Sequence, residues 1–378
     1  MLERTIFEPE HLQFRDAVRR FFAAELTPNI ERWEAAGQID REFWNACGEQ
    51  GLLCPDMPAE YGGAGLDFRA NAIVLEETSY TGSATPTFGL HSDIVPHYLL
   101  KYANEDVRRT WIPRMIDGSA VGSICMSEPS GGSDLKAVRT TAVRDGDVYR
   151  INGSKTFITN GASADITLIA ARTGKEPGAK GISLFFCETD RPGYRVGRKL
   201  DKVGQRSSDV CEIFFDDLEV PTSYLLGEEN KGFVYMMQEL PQERLSIAVT
   251  AHSAAQRAYD ITVDYVKERH AFDQTLMEFQ NTRFALADLR SKLQVGWTHL
   301  DACIQALVAK RLTTDQAAAA KLWHTELRSE VTDACVQLFG GYGYMNEYEI
   351  ARLWKDTRIQ RVYGGSSEIM KELIARAI

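Results

Sequence analysis

A glutamate followed by an arginine on a helix is ordinarily a solvated surface pair. The stretch Leu240-Pro241-Gln242-Glu243-Arg244-Leu245 has surroundings that reverse this reading. Leu240, Leu245, Ile247 and Ala248 are apolar, and Pro241 bends or starts a helix, so the pattern predicts a Glu243 side chain aimed into an apolar cleft. Desolvation penalises the charged carboxylate and raises its pKa toward neutrality, as a general base working near pH 7 requires. A second stretch, Val362-Tyr363-Gly364-Gly365-Ser366-Ser367-Glu368-Ile369, lies near the C-terminus. Its Gly364 cannot take a proton.

Two further stretches are polar and glycine-rich: Met126-Ser127-Glu128-Pro129-Ser130-Gly131-Gly132-Ser133-Asp134 and Asn152-Gly153-Ser154-Lys155-Thr156-Phe157-Ile158-Thr159-Asn160-Gly161. By composition each is only a turn, but their order and separation make the pair specific. Together with Glu243-Arg244-Leu245, Arg269-His270-Ala271-Phe272, Phe279-Gln280 and Gln337-Leu338-Phe339-Gly340-Gly341, they resemble the acyl-CoA dehydrogenase family over essentially the whole chain. The long-chain branch is the most similar. Many members carry their catalytic glutamate at the position of Gly364. The long-chain and isovaleryl branches place it instead at the Glu of an E-R-L triplet, here Glu243.

The resemblance implies FAD as cofactor and α,β-dehydrogenation of an acyl-CoA to the trans-2-enoyl thioester, with Glu243 as base. It assigns polarisation of the thioester carbonyl to the Gly364 N–H, and ligand contacts to Ser133, Arg244 and Gly365. A reduced isoalloxazine carries negative charge that N–H and hydroxyl donors stabilise, a role the resemblance gives to Met126, Ser127, Ser133 and Thr159. Phe157, where many members have Trp, would stack on the ring beside Ile158. Ser366 and Glu368 are further expected cofactor contacts. Arg269, Phe272 and Gln280 would hold the pyrophosphate and adenosine, for which a planar guanidinium fork is apt. Gln337, Gly340 and Gly341 would reach the FAD of a neighbouring subunit, which implies a homo-oligomer, a tetramer or dimer. The implied electron acceptor is an electron-transferring flavoprotein. The competing readings are an acyl-CoA oxidase or flavin monooxygenase of the same fold, and a non-catalytic flavoprotein.

These residues need elements to position them, and the texture of the chain supplies three blocks. Helical periodicity runs from Glu8 to about Gly118, as in Leu12-Phe14-Val18-Phe21-Phe22 and Phe68 to Tyr80. Short β-branched and aromatic runs follow, with a hairpin at Asp145-Gly146-Asp147 and further strands at Asp165 to Ala171, Gly181 to Cys187 and Val210 to Phe215. Their turn spacing fits a closed or partly closed barrel. Long helical periods return from Gly232, among them Asp315 to Phe339 ended by a glycine cap at Gly340-Gly341. The expected fold is α+β multidomain, the acyl-CoA dehydrogenase fold: an N-terminal helical domain (1–120), a middle β-barrel domain (121–225) and a C-terminal four-helix bundle (226–378). The small residues of Thr81 to Leu90 (Gly82, Ser83, Ala84, Gly89) line an acyl tunnel or serve plain helix packing.

Bulk properties remove other classes. A chain of 378 residues with 44% hydrophobic content buries a large core, and a net charge of −10 argues against a nucleic-acid partner. No run approaches the roughly 18 apolar residues of a membrane span. With no apolar signal core in Met1-Leu2-Glu3-Arg4, a cytoplasmic location is expected. The cysteines (Cys47, Cys54, Cys125, Cys187, Cys211, Cys303, Cys335) are dispersed and read as reduced core thiols. No metal is predicted, with His91 and His97 read as loop or pocket residues. The glycines after Phe339 follow a helix instead of a strand, which excludes a Rossmann fingerprint.

Overall fold

The structure is a computed structural model that describes residues 2–82 and 87–378. Helices α1 (Pro9–Phe21), α2 (Ile30–Ala36), α3 (Arg41–Glu49), α4 (Phe68–Tyr80), α5 (Phe88–Asp93), α6 (Val95–Tyr102) and α7 (Glu105–Ile116) open the chain. Their starts follow local chemistry: the Asp67 carboxylate accepts the Arg69 N–H at the head of α4, and the Asn104 side chain accepts that of Val107 at α7.

The middle block is one sheet of β1 (Gly122–Cys125), β2 (Thr141–Asp145), β3 (Val148–Thr159), β4 (Ile166–Arg172), β5 (Ile182–Glu188), β6 (Tyr194–Lys199), β7 (Val210–Pro221) and β8 (Leu225–Leu226). The pairing order is β6-β7-β3-β2-β4-β5-β8, and β1 joins the same edge of β4 that β2 touches at Arg172. The path does not close between β6 and β8, so the barrel is partly closed. It is curled all the same, because Tyr149, Ile151, Ile169, Phe185, Ile213 and Leu218, from strands across the sheet, share one core. β4 and β5 are buried on both faces: Ile169 and Phe185 face that core, while Leu168 and Phe186 face the core of the N-terminal helices. Strands β1 and β6 escape a reading by periodicity. One is four residues long, and the other is a polar edge carrying Arg195, Arg198 and Lys199.

Beyond it run α8 (Gly232–Glu268), a small hairpin of β9 (His270–Ala271) and β10 (Gln274–Thr275), α9 (Gln280–Val308), α10 (Thr314–Phe339), α11 (Glu349–Thr357) and α12 (Ser367–Ala375). Pro241 neither starts nor ends a helix but lies inside α8, where it deprives the Met237 carbonyl of its helical donor just before Glu243. α8 serves two cores. Met236, Leu245, Ala248 and Val249 pack against the N-terminal helices, and Ala254, Ala255 and Ala258 pack against α9 and α10. Gly340 ends α10 with φ +61°, as its sequence signal predicts.

A buried ion pair joins the two glycine-rich stretches. Lys155 is fully buried; its Nζ donates to Glu128 Oε1 at 2.8 Å and to the carbonyls of Ala170 (2.7 Å) and Met126 (3.3 Å). The Glu128 carboxylate also accepts the N–H groups of Arg139 and Thr140 at 2.7 and 3.0 Å. Burial opposes the charge on Glu128, yet Lys155 and these donors hold its pKa below the usual carboxylate value. Burial also lowers Lys155, with Glu128 opposing. Because every charge has partners, removing one leaves the other stranded. Lys155→Met is expected to cost about 3–5 kcal/mol, read as a lower urea midpoint, and Lys155→Met with Glu128→Gln to recover a good part of it.

Candidate active site

Glu243 sits on the face of α8 that meets α6 and is 7% exposed. The Tyr98 hydroxyl donates to its Oε1 at 3.1 Å. Burial pushes its pKa up to about 7; the Tyr98 hydrogen bond and the Arg244 charge act the other way, and Glu239 adds to the rise. Glu239 lies four residues earlier on the same face and is also buried. It is fully engaged, with Lys101 Nζ at 2.6 Å on Oε2 and the Tyr102 hydroxyl at 2.8 Å on Oε1. Of these two carboxylates only Glu243 has an oxygen, Oε2, with no hydrogen bond among the described residues. That asymmetry separates a carboxylate able to accept a proton from one that holds the structure together.

Gly364 faces the same part of α8. Its φ is +64°, which favours glycine, and a Cβ there would press on Cδ1 of Ile247, one turn beyond Glu243. No hydrogen bond among the described residues takes the Gly364 N–H. Gly365 (φ +95°) is anchored by Lys321, whose buried Nζ donates to its carbonyl at 2.7 Å. Burial pulls Lys321 down to about 8, helped by the charge of Arg244. Arg244 is buried, its Nε has no partner, and burial lowers its pKa. It is not ion-paired with Glu243; its charge acts toward Lys321, on the side of α8 that meets α10. Ser366 caps α12, accepting the Ile369 N–H at 3.4 Å, and Glu368 stands exposed in the first turn.

The glycine-rich stretches are adjacent in space, with the Thr156 N–H donating to the Ser127 carbonyl at 3.0 Å. At Phe157 the register of β3 against β7 shifts, φ is +58°, and the ring is 70% exposed. A bulky aromatic residue in left-handed backbone is strained, and strain of this kind persists where the surroundings impose it. Ile158, next to it, turns its side chain into the sheet core, so only its backbone can face a ligand. Thr159, Met126 and Ser127 are half-buried, and Ser133 is exposed in the loop beyond. An outward ring flanked by N–H and hydroxyl donors fits an isoalloxazine, which has a flat apolar face and a polar edge.

The remaining expected cofactor residues gather elsewhere. Arg269 lies just past α8, its guanidinium over the Tyr342 ring at 5.3 Å. Phe272 is 90% exposed with φ +53°, and Gln280, Gln337, Gly340 and Gly341 are exposed around it. Along α8 this corner is roughly 39 Å from Glu243, at the helical rise per residue. One chain does not bring the two groups together.

Other expectations resolve individually. His91 and His97 are on helices and buried: His91 bonds the Met115 carbonyl at 2.9 Å and is pushed down to about 4 by burial, and His97 pairs with Asp56 at 3.0 Å. Gly82 is a packing glycine against Glu349 of α11, its carbonyl held by Arg352 at 2.8 Å. Gly89 leaves room between Leu75 and Ser246, while Ser83 and Ala84 lie outside the described residues. Sequence reasoning missed Tyr98, Lys101, Glu239 and Lys321. Glu239 has a signal, its spacing of four from Glu243; the others act across elements and have none.

Three family models match in succession: the acyl-CoA dehydrogenase N-terminal domain at residues 8–119, the middle domain at 123–218 and the C-terminal domain at 230–378. The chain is 48% identical over 377 residues to the mitochondrial long-chain specific acyl-CoA dehydrogenase of Sus scrofa, covering 99% of this chain and 88% of that one. The crystal structure of an acyl-CoA dehydrogenase from Geobacillus kaustophilus superimposes with a TM-score of 0.97 at 43% identity, covering 99% of both chains. A glutaryl-CoA dehydrogenase from Mycobacterium smegmatis, solved in complex with FADH2, superimposes with a TM-score of 0.92 at 26% identity over 98% of this chain and 95% of that one.

A folded-state pKa near 7 against an ordinary 4.5 means that folding penalises the ionised form of Glu243. The penalty is complete above pH 7 and absent below about 4.5. Glu243→Gln is therefore expected to raise the thermal midpoint at pH 8, by up to about 3 kcal/mol of stability, and to gain almost nothing at pH 4.5. Calorimetry of both proteins across that range checks this.

Proposed function

This chain belongs to the acyl-CoA dehydrogenase family of FAD-dependent oxidoreductases, and we propose that it dehydrogenates long-chain or branched acyl-CoA thioesters with Glu243 as the base. The observation that carries the assignment is the contrast between the two carboxylates on one face of α8: Glu239 is saturated by Lys101 and Tyr102, and Glu243, only 7% exposed, keeps a free oxygen. When bound, FAD takes the β-hydrogen of the acyl chain as hydride. The work of the protein is then to remove the α-proton and to hold the thioester.

Glu243 Oε2 accepts the α-proton, and the electron pair left behind forms the 2,3 double bond as the β-hydrogen leaves. The Gly364 N–H donates to the thioester oxygen and makes the α-proton more acidic. Lys321, bonded to the next carbonyl, fixes the orientation of that peptide segment. Phe157 offers its exposed ring, and the buried Lys155–Glu128 pair holds the donor-bearing strands beneath it. Ser366 and Glu368 at the head of α12, and Ser133 in its loop, complete the contacts. The identity to a long-chain specific enzyme favours an extended acyl chain.

The long separation between Glu243 and the Arg269 corner supports a site completed by a second copy, which supplies Arg269, Phe272, Gln280, Gln337, Gly340 and Gly341 to the FAD of its neighbour. The exposed rings of Phe272 (90%), Tyr344 (74%) and Phe284 (60%) near that corner and on α9 fit a surface covered in a dimer or tetramer. The buried free thiols suit a reducing compartment, the cytoplasm or equally a mitochondrial matrix. Among the described residues no helix is long and apolar enough to cross a membrane. An electron-transferring flavoprotein is the proposed acceptor.

Anaerobic titration with straight and branched saturated acyl-CoAs, following loss of oxidised-flavin absorbance, is expected to show bleaching that peaks at one long or branched chain. Glu243→Gln is expected to retain FAD and lose about two to four orders of magnitude in the reduction rate. Near-normal bleaching by that variant sinks the base assignment, and an FAD-loaded enzyme that no acyl-CoA bleaches sinks the reaction.

A further inference from the structure

Helix α6 meets the catalytic face of α8 with a row of polar side chains. Tyr98 points at Glu243, while Lys101 and Tyr102 point at Glu239. Tyr98 is fully buried, its ring is 6.1 Å from that of Tyr102, and Tyr102 in turn stacks on Tyr235 of α8 at 4.2 Å. Its hydroxyl is thus placed by burial and by the stacked Tyr102, and is not free to swing out to solvent. We propose that Tyr98 is the positioning residue for the proton-abstracting carboxylate, holding Oε1 so that Oε2 is the oxygen that takes the α-proton and so that the ionised form is favoured. The proposal rests on Glu243 being the base.

The chemistry follows from the donor. A phenol O–H gives a hydrogen bond to a carboxylate without bringing a positive charge, so it steadies the anion less than an ammonium would. Lys101 is that ammonium, and it is spent on Glu239. Had α6 presented Lys101 to Glu243, the carboxylate would be too weak a base; with no donor, burial would leave it protonated at neutral pH. The charged and titratable groups facing Glu243 are Tyr98 on α6 and Glu239 and Arg244 on α8. Lys101 and Tyr102 stand behind Glu239, and Lys321 of α10 stands behind Arg244. Burial and Glu239 press the carboxyl toward its neutral form, against Tyr98 and Arg244.

Two variants should move the base in opposite directions. Tyr98→Phe keeps the ring and removes only the donor, so the acid limb of the pH profile for flavin reduction is expected to rise by about one pH unit. Reduction then falls about tenfold on that limb and recovers to within about threefold at pH 9, with acyl-CoA affinity unchanged. Glu239→Gln removes the neighbouring negative charge, and the limb is expected to fall. A purely structural defect would lower the rate evenly at all pH values and would not split the two variants by sign.

A second readout needs no turnover. The gain in thermal stability of Glu243→Gln over its parent still begins near pH 4.5, but the pH at which it levels off is expected to lie about one unit higher in the Tyr98→Phe background. Unshifted profiles and an unshifted stability window, with Glu243→Gln inactive, overturn the role of Tyr98 and leave the base in place. An active Glu243→Gln overturns both. If Tyr98→Phe does not fold, the direction taken by Glu239→Gln decides, and a limb that stays fixed or rises refutes the sorting of the two carboxylates by α6.

Discussion

Everything at this site depends on keeping one carboxylate dry. Burial of Glu243 is destabilising in its charged form, and the surroundings offset the cost only in part, through the Tyr98 hydroxyl and the charge of Arg244. Partial compensation is the functional condition. A carboxylate with a full set of donors, such as Glu239, is stable and inert, whereas one with none ionises only at higher pH. The fold produces the intermediate case by running α8 through two cores at once. Its first half is packed by the N-terminal helices, which bring Tyr98, and its second half by α9 and α10, which bring Lys321 toward the Gly364 loop.

The strand side of the site rests on a different compensation. Phe157 occupies backbone that a bulky residue adopts only under constraint, and the constraint is visible on either side of it. Lys155, two residues earlier, is pinned in the sheet by Glu128 and two carbonyls; Asn160, three residues later and also at positive φ, bonds the Gly122 carbonyl at 3.2 Å and receives the Thr87 hydroxyl at 2.8 Å. The strained segment is short because both its ends are fixed. This gives the glutamate and lysine of the two glycine-rich stretches a structural meaning that composition hides: they are the clamp that turns an aromatic ring outward, and the residues around them supply the donors.

Much of this was legible in the chain. Long apolar periods give α4 and α10 almost to the residue and the start of α8, and the Asp-Gly step gives the β2–β3 hairpin, because helix caps and tight turns are local events. Glu243 was legible from its apolar neighbours, and Gly364 as a position without a base. Of the two readings of Pro241, a bend in a helix or its start, only the start is overturned, since a proline can be carried inside a helix when tertiary packing holds both sides of it. Tyr98, Lys101 and Lys321 were invisible for a plainer reason. Each acts on a partner far away in sequence, and on its own helix it looks like any other polar residue. At Gly82, where tunnel lining and plain helix packing were both open, the structure selects packing, since the small residue admits a neighbouring helix.

The proposed placement of the base on α8 goes with the packing around it. The resemblance places the glutamate of many family members at the position of Gly364, and in this chain Ile247 is the side chain nearest to that position. In this chain Ile247 fills that space, and Gly364 is held at a φ that disfavours any side chain. Ile247 lies one turn from Glu243 on the same face, so the residue that closes the site to a base on the loop belongs to the surface that presents the base from the helix. The two features go together: a glutamate on the loop would need the Ile247 side chain to shift and the backbone at 364 to accept a side chain at positive φ. Transfer of the carboxyl group alone would put a charge against an isoleucine and leave the cleft at 243 without a function.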